Sequence, residues 1–577
     1  MVATSTGATV MEDGGILIEK DVRIPLADGQ FVSCNVFRPN RDGAFPPIVV
    51  FTPYGKDSDV AVDFKRYWDF VLRDHPEVVR DGSTGKYLTW EVPDPERWVP
   101  AGYAVIVVDA CGTGKSPGFY EMMAPLQTRE YYDAVEWAGV QSWSNGKVGL
   151  LGVSYLAIKQ WQVAALQPPH LAAFIPWEGM FDHYRDLYRH GGIYSSFFLK
   201  LLWDTQIAIN QNGNAGSPYR DRFTGKVSTG ETIDPDLLPG NLANVYEAGL
   251  RHPFDDAYFK LRTPMAARIE VPFLSAGNWG GLGLHLRGNV EAFELAASRN
   301  KWLEMHTDTH FASMYLPHAL ALQMKFFDHF LKGEDNGWDR QPPLILTIRD
   351  PRGSVRRDET EWPLARTKWT RYYLDAEDSA LSMDASPSSG KAEYDAQTDG
   401  ITLRSEPFGR DTEFTGPVAA KLFVSTSTVD MDLFLTLRVF DSNHVEVTFV
   451  GANDPRAPIS QGWLRVSHRK TDPERSRPYK PYHPHDEHQL LKPGEVYEVD
   501  VEIWPTSIVV PAGYHLALTI SGKDFERPDS QGLMKGSGIF LHNDPADRPA
   551  DIFGGVQIIY TGADRPSHLL IPLISAN

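Results

Sequence analysis

The sequence predicts an α/β domain built on a doubly wound parallel sheet, interrupted by a helical insertion and followed by an all-β sandwich. Near-continuous apolar runs, typical of strands buried on both faces, alternate with helical patterns in the first third of the chain. The β pattern then lapses between residues 180 and 267, where aromatic and polar residues crowd together. Short alternating strands with turn residues between them begin at about residue 343. We therefore predict a core of residues 1–179 and 268–342, a mostly helical cap of residues 180–267, and a β domain of residues 343–577.

Each predicted element has its own pattern. Residues 22–26 and 31–37 flank Asp28-Gly29-Gln30 as a hairpin. The predicted strands of the sheet are residues 47–51, 104–108, 148–151, 171–176, 271–276 and 301–305. The predicted helices are residues 128–141, 157–166 and 320–331. The clearest strands of the β domain are residues 419–424, 433–439, 496–503 and 515–520.

The composition excludes several classes of protein. The chain has 577 residues, 42% hydrophobic and 23% charged, as in globular proteins of two or three domains. Its net charge of −19 argues against nucleic acid or an anionic membrane as partner. No run of roughly 20 apolar residues predicts a membrane helix, and residues 1–7 lack a signal-peptide pattern. The two cysteines, Cys34 and Cys111, exclude a disulfide framework, so a reducing cytoplasm is expected. The sequence leaves the oligomeric state open, a homo-oligomer included.

A serine stands where a predicted buried strand turns into a predicted helix. Residues 148–151 are apolar, Gly152 follows, and Ser154 comes just before the helical pattern. In α/β-hydrolases this joint carries the nucleophile, because the tight turn exposes the hydroxyl and the helix N-terminus favours negative charge. The general pattern is G-x-S-x-G, but Leu156 replaces the second glycine. The alternative interpretation is a serine that only caps the helix.

A serine hydroxyl needs a base, usually a histidine held by a carboxylate. In this fold class the nucleophile comes first along the chain, then the acid, then the histidine. His310 follows the last predicted strand of the sheet by a few residues, so we predict that it takes the proton of Ser154. His306, at the end of that strand, is the competing candidate.

Two groups are candidates for an oxyanion hole. Tyr54 follows the early strand of residues 47–51, at the sheet edge where Ser154 is expected to emerge. Its phenol can donate to a developing oxyanion, with the backbone N–H of Tyr155 as second donor. The alternative is that Tyr54 is an ordinary core aromatic beside a turn.

Several motifs together resemble one family. In chain order they are Thr52-Pro53-Tyr54-Gly55-Lys56, residues 109–118, Glu136-Trp137, residues 143–149 and Gly152-Val153-Ser154-Tyr155, followed by Gly416-Pro417, Asp430-Met431-Asp432 and residues 462–469. Nearly the whole chain resembles the cocaine esterase and X-prolyl dipeptidyl-peptidase family, which includes α-amino-acid ester hydrolases and glutaryl acylases. The resemblance implies Ser154 as nucleophile, Tyr54 as oxyanion donor, residues 180–267 as a helical cap, and a C-terminal jelly-roll domain.

The sequence departs from that family at the acid of the triad. After the strand that ends at Ala276 the family carries Trp-x-Asp, but a glycine takes the place of the aspartate here. Glu178 ends the strand after the nucleophile helix, beside the usual acid strand, so we predict that it orients the histidine. Asp182 and Asp308 are the next candidates. Glu178 paired with an arginine such as Arg185 is the structural alternative.

The remaining predictions concern ligands. Trp177 and Trp279 lie near the carboxyl edge of the predicted sheet and are predicted to line an apolar acyl pocket. The histidine-rich residues 483–488 lack regular ligand spacing, so a surface or interface loop is favoured over a metal site. The glycine-rich residues 109–118 lack the spacing of a phosphate-binding loop. We expect neither a metal nor a cofactor.

Together these observations predict a serine hydrolase that cleaves an ester or amide of a small molecule through an acyl-enzyme. Three alternatives stay open. The acyl group can pass to an amine or an alcohol, or the reaction can close a ring, which would make the protein an acyltransferase or a cyclase. The protein can be an X-prolyl or amino-acyl peptidase, which needs an anionic subsite for the amine of the substrate. A binding protein with a degenerate triad is the third.

Overall fold

The structure, a computed structural model, describes residues 2–3, 9–80, 82–527 and 538–575. Most of residues 1–7, on which the signal-peptide prediction rests, lie outside the described residues. Within the described residues no helix is long and apolar enough to cross a membrane. Cys34 and Cys111 are both buried and unpaired.

Twelve strands of the described chain form the first sheet. In spatial order they are Val2–Ala3, Thr9–Asp13, Ile16–Pro25, Phe31–Pro39, Ala104–Asp109, Pro47–Thr52, Val148–Val153, Leu171–Trp177, Phe273–Asn278, Lys301–His306, Leu344–Ile348 and Val355–Glu359. The seven strands from Ala104–Asp109 to Leu344–Ile348 run parallel, and the outer strands pair antiparallel. Their near-continuous burial explains why they read as unbroken apolar runs in the sequence.

Helices cover both faces of this sheet. Those of the core are Val60–Asp63, Lys65–Asp74, Pro95–Trp98, Pro125–Gly139, Tyr155–Ala164, Leu286–Leu295 and Pro317–Phe327. The predicted hairpin and every predicted strand and helix of the core are present, with ends shifted by a few residues. The sheet continues through Leu344–Ile348 and Val355–Glu359, which we had predicted to belong to the β domain.

The insertion of residues 180–267 is only partly helical. Its helices are Ser196–Leu202, Val245–Arg251 and Ala257–Lys260, with π-helical turns at His183–Tyr188 and Trp203–Ile207. A short ladder joins Arg189–His190 to Ile193–Tyr194, and residues 211–237 form neither helix nor strand. The prediction of a mostly helical cap therefore overstates its regular structure.

The C-terminal part is a second twelve-stranded sheet. Its strands in spatial order are Gly390–Asp395, Val556–Thr561, Thr412–Thr426, Tyr497–Val510, Ser460–Arg465, Asp432–Phe440, His515–Ser521, Ile401–Ser405, Ala380–Ser382, Thr367–Asp375 and His568–Ile574, with Glu446–Val447 beside Asp432–Phe440. Pairing of Thr412–Thr426 with His568–Ile574 closes the sheet on itself. Leucine and valine at every second position of Asp432–Phe440 fill a separate core.

The β domain contacts the catalytic edge of the first sheet directly. The backbone N–H of His310 donates to the carbonyl of Ala452 at 3.0 Å, and that of Asp308 donates to Val450 at 3.3 Å. Gly280 lies so close to Gly451 that a Cβ atom at position 280 would come within 2.2 Å of the neighbouring Cα. The loop that carries His310 is thus held by the second domain.

Candidate active site

The carboxyl ends of parallel strands bring the predicted site residues to one edge of the sheet. Ser154 follows Val148–Val153, and Glu178 follows Leu171–Trp177. His310 comes shortly after Lys301–His306. Because these three strands lie within four consecutive positions of a parallel sheet, residues far apart in sequence meet here.

Ser154 sits on a strained turn between strand and helix. Its φ of 57° and ψ of −119° lie in a region that residues with a side chain rarely occupy. The turn is tight, because a Cβ atom on Gly152 would lie 2.7 Å from the Cβ of Leu156. The helix Tyr155–Ala164 begins immediately afterwards. This is the geometry of a nucleophile elbow, and it holds without the second glycine of the motif.

The hydroxyl of Ser154 meets a histidine that the sequence analysis did not select. Ser154 Oγ lies 3.1 Å from Nε2 of His285 and has no other hydrogen bond to a side chain among the described residues. The predicted contact with His310 is therefore not the one observed. His285 immediately precedes the helix Leu286–Leu295, and its other nitrogen, Nδ1, is buried without a partner.

His310 is the second imidazole of the site, and it is held between two carboxylates. Its Nδ1 lies 2.9 Å from Oε2 of Glu178 and its Nε2 lies 3.2 Å from Oε1 of Glu91. These carboxylates outweigh burial and raise the pKa of His310 to about 10. The ring of His310 stacks on that of His285, with centroids 5.0 Å apart and planes 8° from parallel. Burial and the neighbouring His310 hold the pKa of His285 well below its usual value.

Glu178 is the carboxylate that the geometry brings to the histidines. It is fully buried, and besides His310 it binds His306 Nε2 at 2.9 Å and the Ser313 hydroxyl at 2.7 Å. Burial raises the pKa of Glu178, but the positive histidines and their hydrogen bonds outweigh it and hold the pKa well below the usual value. Its φ of 49° marks a second strained residue in the site.

The two other acid candidates have different partners. Asp182 caps the turn that contains Arg185 and pairs with that arginine at 2.8 Å. Asp308 lies 3.1 Å from Nε2 of His75. Arg185 pairs with Asp182 and Asp255, so the ion pair proposed as the structural alternative for Glu178 is absent among the described contacts.

Glu91 is a further acidic residue at the site that the sequence analysis missed. It adopts a φ of 64°, and its carbonyl accepts the backbone N–H of Val153, which fixes it beside the elbow. Its Oε2 is buried without a hydrogen-bond partner, and burial raises the pKa of this carboxyl. With His310 it lines a narrow pocket whose other walls are mainly aromatic, from Tyr67, Trp68, Trp90, Phe311 and Tyr315.

One predicted oxyanion donor, Tyr54, packs against Tyr155, the residue that follows Ser154. The hydroxyl of Tyr54 makes no hydrogen bond among the described residues, and its ring packs edge-on against Tyr155 at 5.9 Å. Burial and the nearby Glu91 carboxylate raise the pKa of Tyr54 well above its usual value, so it keeps its proton. The backbone N–H of Tyr155 lies in the first turn of its helix, where no intrahelical carbonyl can accept it.

The two predicted pocket tryptophans lie in the interior instead. Trp177 stacks on His306 and donates its indole N–H to the hydroxyl of Ser313 at 2.9 Å. Trp279 is fully buried and donates to the carbonyl of Thr347 at 2.7 Å. This placement gives no support to an acyl pocket built from them, since neither lines the cavity beside Glu91.

The histidine-rich segment 483–488 is an interface loop between the cap and the β domain. His483 binds two backbone carbonyls, at 3.0 and 2.9 Å, and its own carbonyl accepts from Arg185. Among the described residues one set of three side chains, Glu178, His285 and His310, offers metal-type donor atoms within 4.8 Å of one another. Hydrogen bonds to Ser154 and between members of the set use these atoms, so we interpret it as hydrogen-bonded machinery.

Comparison with known proteins supports this interpretation. Residues 28–312 match the model of the X-Pro dipeptidyl-peptidase S15 family, and residues 336–570 match the C-terminal non-catalytic domain of X-Pro dipeptidyl-peptidases. A crystal structure of a CocE/NonD family hydrolase from Staphylococcus aureus is 32% identical, with a TM-score of 0.84 over 98% of this chain and 96% of that one. The chain belongs to the CocE/NonD hydrolase family.

Curated relatives of this CocE/NonD hydrolase agree. The cocaine esterase of Rhodococcus sp. (strain MB1 Bresler) is 25% identical over 98% of this chain and 100% of that protein. A putative serine esterase of Mycobacterium tuberculosis is 24% identical over 86% of this chain and 90% of that protein. The predicted fold class, an α/β-hydrolase core followed by a β jelly-roll domain, is confirmed, and the protein is a serine hydrolase. The roles of individual residues stay predictions.

The two residues that sequence reasoning missed carry little signal of their own. His285 lies in the same segment in which the family aspartate is absent, just before a helix, and only that position marks it. Glu91 lies in the irregular residues 82–94, away from any strand end. A loop brings Glu91 to the elbow, and hydrophobic periodicity does not predict the course of such a loop.

Proposed function

We propose that this CocE/NonD hydrolase cleaves a carboxylic ester or amide of a small molecule through an acyl-enzyme on Ser154. The observation that supports this most is the Ser154 hydroxyl, presented on a strained elbow 3.1 Å from an imidazole nitrogen. A serine attacks a carbonyl at neutral pH only when a base within hydrogen-bond reach can take its proton. That requirement is met before any substrate binds.

The remaining groups have complementary roles in this proposal. The stacked imidazoles of His285 and His310 handle the proton, and Glu178 orients His310 and balances the charge of the pair. Tyr54 and the backbone N–H of Tyr155 donate to the oxyanion. These are side chains and backbone groups of the chain itself, so the proposed chemistry needs no cofactor.

The surroundings of the site bear on its substrate and location. Ser154 is only 8% exposed, so we propose that its substrate is a small molecule. The free, buried thiols of Cys34 and Cys111 support a reducing, cytoplasmic location. We retain the proposal that neither nucleic acid nor membrane is a partner, on the net charge of −19.

A second candidate substrate class is favoured by Glu91. An amino-acyl or X-prolyl substrate carries a free ammonium group, which needs an anionic subsite near the nucleophile. The buried Oε2 of Glu91 lacks a partner and faces aromatic rings, an arrangement that suits a cation. Esters that differ only by –NH₃⁺ in place of –CH₃ test this: the ammonium ester should have the higher kcat/KM, and Glu91→Gln should remove the preference.

Labelling tests the proposed function itself. A fluorophosphonate probe should modify the wild-type protein on Ser154. Release of p-nitrophenol from a short-chain p-nitrophenyl ester should begin with a burst equal to the enzyme concentration. Ser154→Ala should abolish both while folding normally, because it removes only a hydroxyl whose one side-chain partner among the described residues is His285. Labelling at another residue, or full activity of Ser154→Ala, would refute the assignment of the nucleophile.

A further inference from the structure

We infer that His285 is a further catalytic residue, which takes the proton of Ser154 during acylation and returns it to the leaving group. The inference rests on the proposed function, because it needs Ser154 to be the nucleophile. It differs from the expectation drawn from chain order, in which His310 accepts that proton directly.

The hydrogen bonds of the two histidines carry the argument. Nε2 of His285 is the nitrogen that meets the Ser154 hydroxyl. Both nitrogens of His310 are already engaged, Nδ1 by Glu178 and Nε2 by Glu91. A base needs a free lone pair directed at the proton it removes, and geometry comes before basicity in choosing it. Nε2 of His285 has such a lone pair, whereas both ring nitrogens of His310 are bound by carboxylates.

The surroundings of His285 keep it neutral and therefore able to accept a proton. It is 1% exposed, and Nδ1, which carries the proton of the neutral ring when Nε2 is free, has no acceptor that would stabilise a positive ring. It stands at the N-terminus of the ten-residue helix Leu286–Leu295, whose dipole disfavours a positive imidazole. The charged groups that face it are His310, which disfavours its protonation, and Glu178, which favours it. Burial and His310 prevail, and the pKa of His285 lies well below its usual value.

The step balances in atoms and charge. The Oγ–H bond of Ser154 breaks, its electron pair forms the bond to the substrate carbonyl carbon, and the proton joins the lone pair of His285 Nε2. The carbonyl π electrons move to the oxygen, which Tyr54 and the Tyr155 N–H stabilise. When the intermediate collapses, the leaving group departs with its bonding pair and takes the proton from Nε2. Water repeats the sequence and releases the acid. A protonated His285 beside a positive His310 is a strong acid, which suits donation to a poor leaving group.

The pH dependence of kcat/KM for a p-nitrophenyl ester distinguishes the two histidines. If His285 is the base, activity should stay level from about pH 9 to below pH 6.5, since the acid limb follows a lowered pKa. If His310 is the base, activity should rise towards pH 10, the value about which it titrates. The wild-type profile alone decides between these results, so the test does not depend on any variant folding.

Variants supply the second readout. His285→Gln should slow the acylation burst at least 1,000-fold with little change in KM, because the amide fills the position but accepts no proton. His310→Gln should retain measurable activity and move the acid limb up, because burial still lowers the pKa of His285 but the positive charge of His310 no longer adds to it. His306→Gln is the matched control: it also removes a buried histidine bound to Glu178, but one without contact to Ser154, so the acid limb should stay in place.

The inference is overturned if wild-type activity rises through pH 8–10, or if His285→Gln stays within tenfold of wild type while His310→Gln is inactive. These outcomes leave the proposed function standing, since Ser154 would still be labelled by the fluorophosphonate. Absence of labelling in the wild type would instead refute the proposed function. The two failures are therefore separate.

Discussion

The charge of Glu178 should be required for both activity and stability. Glu178→Gln keeps the size of the side chain and removes the negative charge that faces two imidazoles. Its carboxylate lies within 4.8 Å of a ring nitrogen of both His285 and His310. At that distance and an effective dielectric constant of about 20, the carboxylate stabilises a positive charge on either ring by about 3 kcal/mol.

That energy sets the expected effect on the rate. Transfer of the serine proton places positive charge on the imidazole pair, so its loss should lower kcat of Glu178→Gln by roughly 100- to 300-fold, with KM nearly unchanged. The amide also leaves buried histidines without a counter-charge, which should reduce the free energy of unfolding by about 3–5 kcal/mol. Steady-state hydrolysis of p-nitrophenyl esters measures the first effect, and urea denaturation followed by tryptophan fluorescence measures the second.

Glu304→Gln is the matched control for this experiment. Glu304 binds His306 at 2.6 Å from the side opposite Glu178 and has no contact with His310 or His285. It should therefore lose stability without a comparable loss of kcat. A Glu178→Gln protein that folds and keeps kcat within tenfold of wild type would refute the role assigned to the carboxylate.

Three further outcomes are expected. Tyr54→Phe should lower kcat about 100- to 1,000-fold, because it removes an oxyanion donor. The melting temperature should stay unchanged, because the hydroxyl of Tyr54 has no partner among the described residues. An unchanged kcat would exclude this role. Stability should fall as pH rises from 6.5 through about 10, because His306 and His310 have pKa values raised to about 10 in the folded state. In this interval the folded protein therefore binds more protons than the unfolded chain. A urea midpoint that stays constant over that range would contradict these values. Gly152→Ala should cost about 1–3 kcal/mol and most of the activity, because its Cβ would lie 2.7 Å from Leu156; a fully active, equally stable variant would contradict the tight elbow.

The sequence predicted the sheet well because its strands are buried on both faces. Runs such as residues 104–108 and 148–151 have no polar interruption, and the structure places them in the centre of the sheet. Ser154 and Glu178 could be predicted from the sequence for the same reason. Each follows a clear strand, and neighbouring parallel strands end at one edge of the sheet. No acid follows Trp279 until Glu291, and this absence favours Glu178 as the acid of the triad.

Other parts of the site could not be predicted from the sequence in this way. A strand end specifies the edge of the sheet but not the direction of a side chain, so Trp177 and Trp279 were placed at the pocket although their indoles turn inward. Chain order selected His310 but could not show that both of its nitrogens are taken. Glu91 depends on a tertiary approach between a loop and the elbow, which local patterns do not encode.

The cap was also overestimated as helical, and the cause is compositional. Aromatic residues crowd residues 184–212, and they read as helix-compatible apolar positions. In the structure Tyr184 and Tyr188 pack into the core through a π-helical turn, and residues 211–237, later in the cap, form neither helix nor strand. Packing of large rings against the core, and not helix periodicity, organises this region.

The carbonyls of Val450 and Ala452, which hold the backbone of Asp308 and His310, have a consequence for biosynthesis. A ribosome that has finished the first 342 residues has made every proposed catalytic side chain but none of the scaffold that fixes the last histidine. The nascent hydrolase should therefore stay below full activity until translation passes that loop and the second domain has docked.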